Sequence, residues 1–553
     1  MKRTDTLFSA LLLSATAAHA ANVPPPNPAA DDVRENLREI RQIEETLRED
    51  AAWSMQQAQP ETPAPAATPD APAPDRSGEC LNYRSVTIEG IKLIDDKAFQ
   101  QKLTECVSQN SLNALSRDIV AAYIKKGYVH TGIDFIEHPE NQTLTINVKE
   151  GRIRKITGKS RTVNTDTLFP QHKGKPLNVH YLEQGIEQAN KLGGNNVSMD
   201  IYPHDDGSAT VALQNHAGKG VFGSVSLDNR GNKPNVAVAR VQLGIDSPLG
   251  LSDSVYLGGY SNVRPDGERY SRGGNVFYSV PYGAWTFSGY GGLSKSQSVT
   301  RFSSGTKLAY RSKTVTAGVK GEKTVSRGQK HLGAVYAGAD YANVASEFGG
   351  SRIKMQSPKL ATLQVGASHT KMLEKGIWLN DVNVEVGTRA LGAKDSPQSP
   401  FTARYVRVAL QSDLSQNRRA GNWLLRNKHR LTAQYSPQDL YATKQFALSD
   451  RSAVRGFKTL SLNGNSGIAL NNTLSARRQS ANGLYAEPYA GADLGLAKDR
   501  ESRYTGYGVA AGINIGYKHH WQFSLESARG FLRAKSGSKR REEQISASFR
   551  VTF

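Results

Sequence analysis

The sequence has no long uninterrupted hydrophobic run, and it contains few cysteines, methionines and tryptophans. Its 553 residues include 2 Cys, 5 Met and 5 Trp, and 38% of them are hydrophobic. A transmembrane helix needs about 20 nearly uninterrupted apolar residues, so the sequence excludes a helical membrane protein. Gly and Tyr, 51 and 22 in all, recur through the second half in short alternating runs. This pattern argues against simple disorder.

The sequence also lacks a G-x-x-x-x-G-K-[ST] phosphate-binding loop and an evident nucleophile–base constellation. The 12 His are scattered, and His519 and His520 beside Trp521 are typical of a strand end rather than of a metal site. Two cysteines without suitably spaced histidines cannot form a structural zinc site. We therefore expect a protein that is not an enzyme and that binds no metal or cofactor.

Acidic residues are in deficit, but only in the second half of the chain. The whole chain has 70 Lys and Arg against 50 Asp and Glu, a net charge of +20. Residues 1–216 hold 23 basic and 28 acidic side chains, and residues 217–553 hold 47 and 22, so the two parts carry −5 and +25. A basic excess is typical of nucleic-acid-binding proteins, and the amino terminus tests that interpretation.

Residues 1–20 have the pattern of a secretory signal peptide. A short basic start precedes an apolar stretch that is too short to span a membrane, and an A-x-A cleavage site ends at Ala20. The mature chain is therefore expected to leave the cytoplasm, which excludes nucleic acid as a partner. In an oxidising compartment Cys80 and Cys106 are expected to pair as a disulfide. Its loop of about 26 residues contributes about 3 kcal/mol.

The mature chain is predicted to begin with a charged helix on a long tether. Residues 31–50, within an amino-terminal region 21–56, have one narrow apolar stripe, eight acids and four arginines, a net charge of −4. Residues 57–78 are rich in Pro and Ala, which predicts an extended, polyproline-like linker. A helix on such a tether can dock far from its neighbours in sequence.

Two units of similar organisation follow, at residues 79–150 and 151–216. In each, the apolar pattern predicts the order β-α-α-β-β, with a short helix followed by a longer amphipathic one. A tandem repeat of about 70 residues favours two small domains rather than one α/β enzyme. The exposed edges of such sheets can accept a strand from another chain.

From residue 217 the hydrophobic pattern changes to period two, and it ends on the last residue, Phe553. Apolar-out, polar-in alternation over such a length indicates a transmembrane β-barrel. At about 20 residues per strand with its connection, residues 217–553 accommodate about 16 antiparallel strands. A soluble β-sandwich has the same alternation, but the signal peptide, the length and the terminal aromatic residue favour the barrel. The predicted fold is therefore this barrel, preceded by two α/β domains and an amino-terminal helix.

One stretch inside the predicted barrel, around residues 446–467, breaks the alternation. It contains four consecutive residues, Val454, Arg455, Gly456 and Phe457. An arginine buried in a lumen needs an acidic or multi-acceptor partner. Asp493 on a following strand is a candidate partner. The alternative is an ordinary hairpin loop with a solvated arginine.

Several of these stretches resemble one superfamily. The sequence VRGF at 454–457 resembles the lumen-folded sixth extracellular loop of the outer-membrane assembly and translocation superfamily, and GADLG at 491–495 is similar to the strand motif that partners its arginine. The two β-α-α-β-β units resemble its polypeptide-transport-associated (POTRA) domains. Two such domains behind a tethered helix resemble the two-partner secretion transporters (type Vb), which export filamentous haemagglutinins and haemolysins. Further similar stretches are 146–153, 225–232 and 279–288.

The resemblance implies a transporter in the Gram-negative outer membrane, with its helix, linker and POTRA domains periplasmic or lumenal. It implies secretion of an unfolded partner exoprotein, such as an adhesin, a haemolysin or a contact-dependent toxin, without ATP. The helix is then expected to plug an ion-conducting lumen, and Arg455 with Asp493 to lock the loop. Phe553 is expected to serve as the carboxyl-terminal signal for the barrel assembly machinery. Periplasmic chaperones and membrane lipid are further expected partners of a monomer.

Two alternatives stay open at this point. An outer-membrane protein insertase of the same superfamily shares the barrel and the loop, but such insertases usually have more POTRA domains and no tethered plug. A passive porin explains the barrel but leaves residues 80–216 without a role. A neighbouring gene for a very long, repeat-rich secreted protein would favour two-partner secretion.

Overall fold

The computed structural model describes residues 28–57, 80–101, 107–229, 237–263, 265, 268–328, 330–395 and 399–553. The predicted signal peptide, most of the predicted linker and Cys106 lie outside these ranges. The Cys80–Cys106 disulfide therefore stays a prediction. Over the described residues, no helix is long and apolar enough to cross a membrane.

Helix α1 spans Pro28–Gln57 and extends beyond both ends of the predicted segment. Its 30 residues have a length of about 45 Å at about 1.5 Å per residue. That length matches a bilayer with its headgroups, which is about 40–45 Å thick. The helix is therefore long enough to extend from one membrane surface to the other.

The first small domain has the predicted β-α-α-β-β order. Its elements are β1 (Ser85–Glu89), α2 (Lys97–Gln100), α3 (Gln109–Lys125), β2 (Thr131–His138) and β3 (Thr143–Glu150). The sheet order is β1-β3-β2, with β1 parallel and β2 antiparallel to β3. Ser108 caps α3 in a reciprocal capping box with Ser111, and Gly127 adopts φ of +87° just beyond the helix. Both β1 and β2 are thus edge strands.

The second small domain repeats this order. Its elements are β4 (Arg152–Thr157), α4 (Thr165–Leu168), α5 (Val179–Asn190), β5 (Val197–Pro203) and β6 (Ser208–Asn215), with sheet order β4-β6-β5. Asn164 and Asn178 cap the two helices through their side-chain oxygens. The fully buried Phe169 and Leu182 lie in its core.

The remaining chain forms a closed antiparallel barrel. Sixteen long strands close the barrel within the described residues. They are β7 (Val221–Asp228), β8 (Val238–Asp246), β9 (Ser254–Asn262), β10 (Tyr270–Tyr282), β11 (Trp285–Arg301), β12 (Lys307–Gly328), β13 (His331–Phe348), β15 (Lys359–Leu373), β16 (Gly376–Thr388), β17 (Val406–Ala420), β18 (Trp423–Tyr435), β21 (Ser466–Gln479), β22 (Leu484–Lys498), β23 (Arg503–Tyr517), β24 (Trp521–Ala534) and β25 (Lys539–Thr552). Short strands β14 (Ser351–Arg352), β19 (Phe446–Ala447) and β20 (Asn463–Gly464) lie in loops.

The barrel closes by pairing its last strand with its first. β25 pairs with β7 over five register positions, from Ser548 opposite Asp228 to Thr552 opposite Ser224. Phe553 and Gly223 then exchange two backbone hydrogen bonds of 3.0 Å. This seam is much shorter than the pairing of β11 with β12, which runs over 17 positions. The terminal aromatic residue thus completes the seam.

The predicted alternation places apolar side chains on the outer face. Val382, Val408, Leu525 and Phe549, which lie on four different strands, are 39–44% exposed in the isolated chain. Their neighbours in sequence face the lumen, where several are charged. The outer face is the apolar face of a transmembrane barrel.

The second small domain is docked on the short turns at one end of the barrel. The Asn164 amide donates to the Gly250 carbonyl at 2.8 Å, and the Gly283 amide donates to the Thr167 carbonyl at 2.8 Å. The buried carboxylate of Asp246 accepts the Gly194 amide at 2.7 Å. The long loops lie at the other end of the barrel. The resemblance implies that the docked domain is periplasmic, so we expect its end of the barrel to face the periplasm.

Candidate functional site

Two segments occupy the lumen of the barrel. One is helix α1, and the other is the loop that joins β18 to β21, residues 436–465, which we call the lumenal loop. The loop begins ten residues earlier than the segment predicted from the broken alternation. Because both segments are charged, their positions depend on the polar side chains of the barrel wall.

The acidic side chains of α1 contact basic residues of the wall. Among the described side chains, Glu35 and Glu39 contact Arg240 at 2.7 and 3.0 Å, Glu44 contacts Lys320 at 2.5 Å, and Glu45 contacts Arg430 at 3.0 Å. The repulsion between two glutamates four residues apart is thereby offset, because both share one arginine. Their partners lie on β8, β12 and β18, so the contacts surround much of the helix.

The arginines of α1 contact acidic or amide groups. Arg48 lies 2.8 Å from Glu322 and 3.1 Å from Asp381, Arg38 pairs with Asp450, and Arg34 donates to the Asn463 amide oxygen at 2.8 Å. Asp450 and Asn463 belong to the lumenal loop. Opposite charges of the helix and its surroundings are therefore paired in both directions, acidic helix residues with basic wall residues and helix arginines with acidic or amide groups.

The apolar stripe of α1 packs against the wall. Val33 is 1% exposed and packs with Val344 of β13, and Leu37 packs against the same pair. Ile40 is also buried. The stripe therefore packs against an apolar patch of a mostly polar lumen. The charged contacts cover the other faces of the helix.

A cavity of about 480 Å³ remains between α1, the wall and the lumenal loop. A polypeptide crossing a hydrocarbon core of about 30 Å needs about nine extended residues. Helix α1 lies along the path that such a polypeptide would take through the barrel.

The structure brings Arg455 and Asp493 together. The Arg455 guanidinium donates through Nε to Asp493 Oδ2 at 2.8 Å and through Nη2 to Oδ1 at 2.7 Å. The Arg455 backbone amide also donates to Oδ2 at 2.9 Å. Both residues are buried, at 6% and 5% exposure. A bidentate, desolvated pair of this kind is geometrically specific, so the loop tip meets β22 in one position.

Glycines of the wall and the loop permit this close approach. Gly456 has φ of +93°, and a Cβ there would lie 2.2 Å from the Gly530 backbone nitrogen. A Cβ on Gly491 would lie 2.0 Å from Arg455 Nη2. Real Cβ atoms do not approach so closely. The loop therefore fits against the wall only because Gly456 of the loop and Gly491 of the wall have no side chain.

Val454 and Phe457, which flank Arg455 and Gly456, are buried in an apolar cluster. This cluster also contains Leu448 and Leu462 of the loop, and Tyr504 and Leu532 of the wall. All four residues of the VRGF stretch therefore contact the wall through β22, β23 or β24. The alternative of a solvated hairpin loop does not describe this geometry.

A second charged cluster joins the start of the lumenal loop to β16 and β17, the two wall strands that precede β18. Lys444 Nζ donates to Glu385 Oε2 of β16 at 2.9 Å, and the guanidinium of Arg407 on β17 pairs with the same carboxylate. The three side chains are 2–7% exposed. Sequence reasoning missed this cluster. Its only signal was one inward charge in each of two strands and a lysine in a distant loop.

The tip of the loop also reaches the closing seam. Glu542 of β25 accepts the backbone amides of Lys458 and Thr459 at 2.8 and 3.1 Å. Lys458 Nζ donates to the Asn229 carbonyl, just beyond β7, at 3.1 Å. The lumenal loop therefore contacts strands on both sides of the seam.

The other predicted site residues have simpler positions. Phe553 lies at the seam with a side chain that is 57% exposed, and its role as an assembly signal stays a prediction. Within the described ranges, no cluster of three or more His, Cys, Asp or Glu side chains is placed to hold a metal ion. The expected lack of a cofactor also stays a prediction.

This architecture, a plugged barrel behind two small α/β domains, defines a class of outer-membrane polypeptide transporter. Residues 207–519 match the family model of the haemolysin secretion/activation protein ShlB/FhaC/HecB. Residues 81–151 match a ShlB-type POTRA domain, and residues 151–203 match a second POTRA model. The two small domains are therefore POTRA 1 and POTRA 2.

Named relatives agree with the family model. The chain is 32% identical over 496 residues to the hemolysin transporter protein ShlB of Serratia marcescens, covering 88% of each chain. It is 30% identical over 468 residues to HpmB of Proteus mirabilis, covering 82% of this chain and 83% of HpmB. It shares its fold with CdiB from Escherichia coli at a TM-score of 0.81 and 22% identity, over 96% of this chain and 99% of CdiB.

The chain belongs to the ShlB/FhaC/HecB family of haemolysin secretion/activation proteins. The predictions of a two-partner secretion transporter, of a 16-stranded barrel behind two POTRA domains and of an outer-membrane location are confirmed.

Replacing Arg455 or Asp493 should free the loop without preventing barrel formation. Removing one partner of a buried ion pair costs about 3–5 kcal/mol, so Arg455→Ala should sharply reduce secretion while heat-modifiable gel migration stays that of a folded barrel. Asp493→Ala should reduce secretion too, and the double variant should lose less than the two single effects combined.

The matched control is Arg352→Ala, which removes an exposed arginine of β14. It should secrete as the parent does. Normal secretion by Arg455→Ala, or strictly additive effects in the double variant, would contradict direct pairing as the basis of loop anchoring.

Proposed function

We propose that this chain recognises an unfolded partner exoprotein through its POTRA domains and secretes it through the barrel without ATP. In this proposal it carries out no chemical step and is not an enzyme. The observation that carries the proposal is that helix α1 fills the lumen of a barrel that belongs to a family of transporters. A filled lumen implies a closed state, and secretion then requires the helix to leave.

Edge strands of the POTRA sheets support a role in capture. β2 is an edge strand whose Phe135 and Ile136 are 42% and 41% exposed, and Ile124 at the end of α3 is 56% exposed. On POTRA 2, Tyr202 of the edge strand β5 is 51% exposed. An unpaired edge beside apolar side chains offers backbone pairing with modest demands on sequence. Such a surface suits an extended chain.

The contacts of α1 suit a plug that can be released. Ion pairs with access to water contribute about 0–1 kcal/mol each. Arg48, Glu45 and Lys320 retain 16–31% side-chain exposure, whereas the Glu39 side chain, which pairs with Arg240, retains 11%. Many weak contacts hold the helix in the lumen. An incoming polypeptide can replace these contacts one at a time. Folding of the exported exoprotein outside the cell would then prevent its return.

The Arg455–Asp493 pair has a different part in this proposal. Because it is buried and bidentate, it keeps the lumenal loop against β22 when the helix has gone. The loop therefore limits the width of the open channel and lines the path of the exoprotein. Outer-membrane lipid, the barrel assembly machinery and periplasmic chaperones are further proposed partners of a monomeric protein.

Capture at the β2 edge is tested by adding a charge to it. In a strain that lacks this chain, the parent protein should restore one large exoprotein to the culture medium, identified by comparative mass spectrometry. Phe135→Lys should restore much less, because a buried cation is costly in an apolar contact. Leu391→Lys, at a residue that is 74% exposed on the extracellular side, is the control. Equal secretion by both variants would exclude this edge.

Closure of the lumen by α1 is tested by electrical conductance. In planar bilayers, a protein lacking residues 21–56 should conduct in larger and longer steps than the parent. Glu45→Lys should also raise conductance, because it places like charges beside Arg430, and high salt should weaken that effect. The exposed Glu374→Lys is the control. Conductance at the parent's level after the deletion would refute the plug.

A further inference from the structure

A row of cations lies on the outer face of three neighbouring strands. Arg272 of β10 stands directly opposite Lys295 of β11, and Lys295 stands directly opposite Lys313 of β12. Adjacent strands lie about 4.8 Å apart, so the three charges form a compact ladder. Like charges opposite each other destabilise a sheet. The arrangement is therefore unfavourable unless an anion lies over it.

The alternation of the strands places this ladder outside the barrel. All three cations are exposed, whereas their neighbours Ser271, Ser294 and Thr314 are buried on the lumenal side. Ser294 and Thr314 are hydrogen-bonded to each other there. The cations therefore point toward the surroundings of the barrel and do not belong to the site in the lumen.

The ladder lies at the outer boundary of the membrane. Lys295 stands ten residues from Trp285, which marks the periplasmic end of β11 and stacks on Phe287 at 5.7 Å. Ten residues of a strand at about 3.4 Å each, in a strand tilted by about 40° from the barrel axis, rise about 26 Å along that axis. The apolar band of such barrels is about 25 Å tall. Leu293, 60% exposed, lies one outward position below Lys295. The ladder thus begins where the apolar band ends.

Nearby acidic groups do not neutralise the ladder. In the described part of the chain, Arg272, Lys295 and Lys313 form no ion pair, and the carboxylate of Glu268 is shared by Arg301 and Lys307. Arg311, the next outward residue above Lys313, donates to the Gln297 amide oxygen at 2.8 Å and stands opposite the exposed Glu347 of β13, so we do not count its charge in the ladder. The patch therefore has a surplus of positive charge beside an apolar surface.

We propose that Arg272, Lys295 and Lys313 bind the phosphate groups of a phosphorylated lipid in the outer leaflet of the membrane. The acyl chains of that lipid lie along the apolar side chains below the ladder, and its phosphates lie between the cations. Charge complementarity and the height of the ladder both favour a membrane lipid over a soluble anion. The bound lipid relieves the repulsion within the ladder and fixes the depth of this side of the barrel.

The test measures lipid binding by the full-length protein in non-ionic detergent. The probe is diphosphoryl lipid A in mixed micelles, with phosphatidylcholine as the lipid without net charge. A basic side chain near anionic lipid contributes about a fivefold gain in affinity. Lys295→Gln with Lys313→Gln should therefore weaken lipid A binding about thirtyfold and leave phosphatidylcholine binding unchanged. Heat-modifiable migration should stay that of the parent, since both side chains are exposed.

The matched control is Lys323→Gln on the same strand and the same face, at the periplasmic boundary beside Trp285. It should bind lipid A within about twofold of the parent, because it removes one charge outside the ladder. Equal binding by the double variant and the parent would overturn the proposal, and so would an equal loss in Lys323→Gln. Displacement of lipid A by millimolar inorganic phosphate would also overturn it, because it would indicate a site for soluble anions.

Discussion

A closed barrel of sixteen strands encloses an aqueous channel unless another part of the chain fills it. Closing that many strands removes every exposed sheet edge, but the interior is then too wide for wall side chains to meet across it. Here the space is taken by a helix and a loop, and neither can be apolar in a lumen that must later admit an extended polypeptide. Charged contacts inside the barrel are the consequence.

Helix α1 and the lumenal loop are held in the barrel by contacts of different kinds. Helix α1 makes its ion pairs with side chains such as Lys320 and Arg430, which keep some access to water and therefore yield readily to competition. The lumenal loop uses buried ion pairs near its start and at its tip, Lys444 with Glu385 and Arg455 with Asp493. Breaking a buried pair is much more costly. We therefore propose that the helix is the part that leaves and the loop is the part that stays.

Much of this arrangement could be predicted from local sequence. Period-two alternation gave the barrel because its outer and inner faces meet different solvents, and the VRGF stretch stood out because it broke that period. The Glu385–Arg407–Lys444 cluster could not be predicted, because three single charges come together only through strand register and loop path. The pairing of Arg48 with Glu322 and Asp381 was missed for a related reason. Net charges describe long-range attraction, whereas contacts are decided by individual side chains.

We propose that helix α1, which lies in the lumen, must leave it for secretion. Val33 and Val344 pack together, so Val33→Cys with Val344→Cys should form a disulfide that ties the helix to β13. The most direct measurement is exoprotein secretion by this double variant when oxidised and again after reduction, with the cross-linked fraction measured on gels. We expect oxidation to stop secretion in proportion to cross-linking and reduction to restore it. Undiminished secretion by fully cross-linked protein would contradict it.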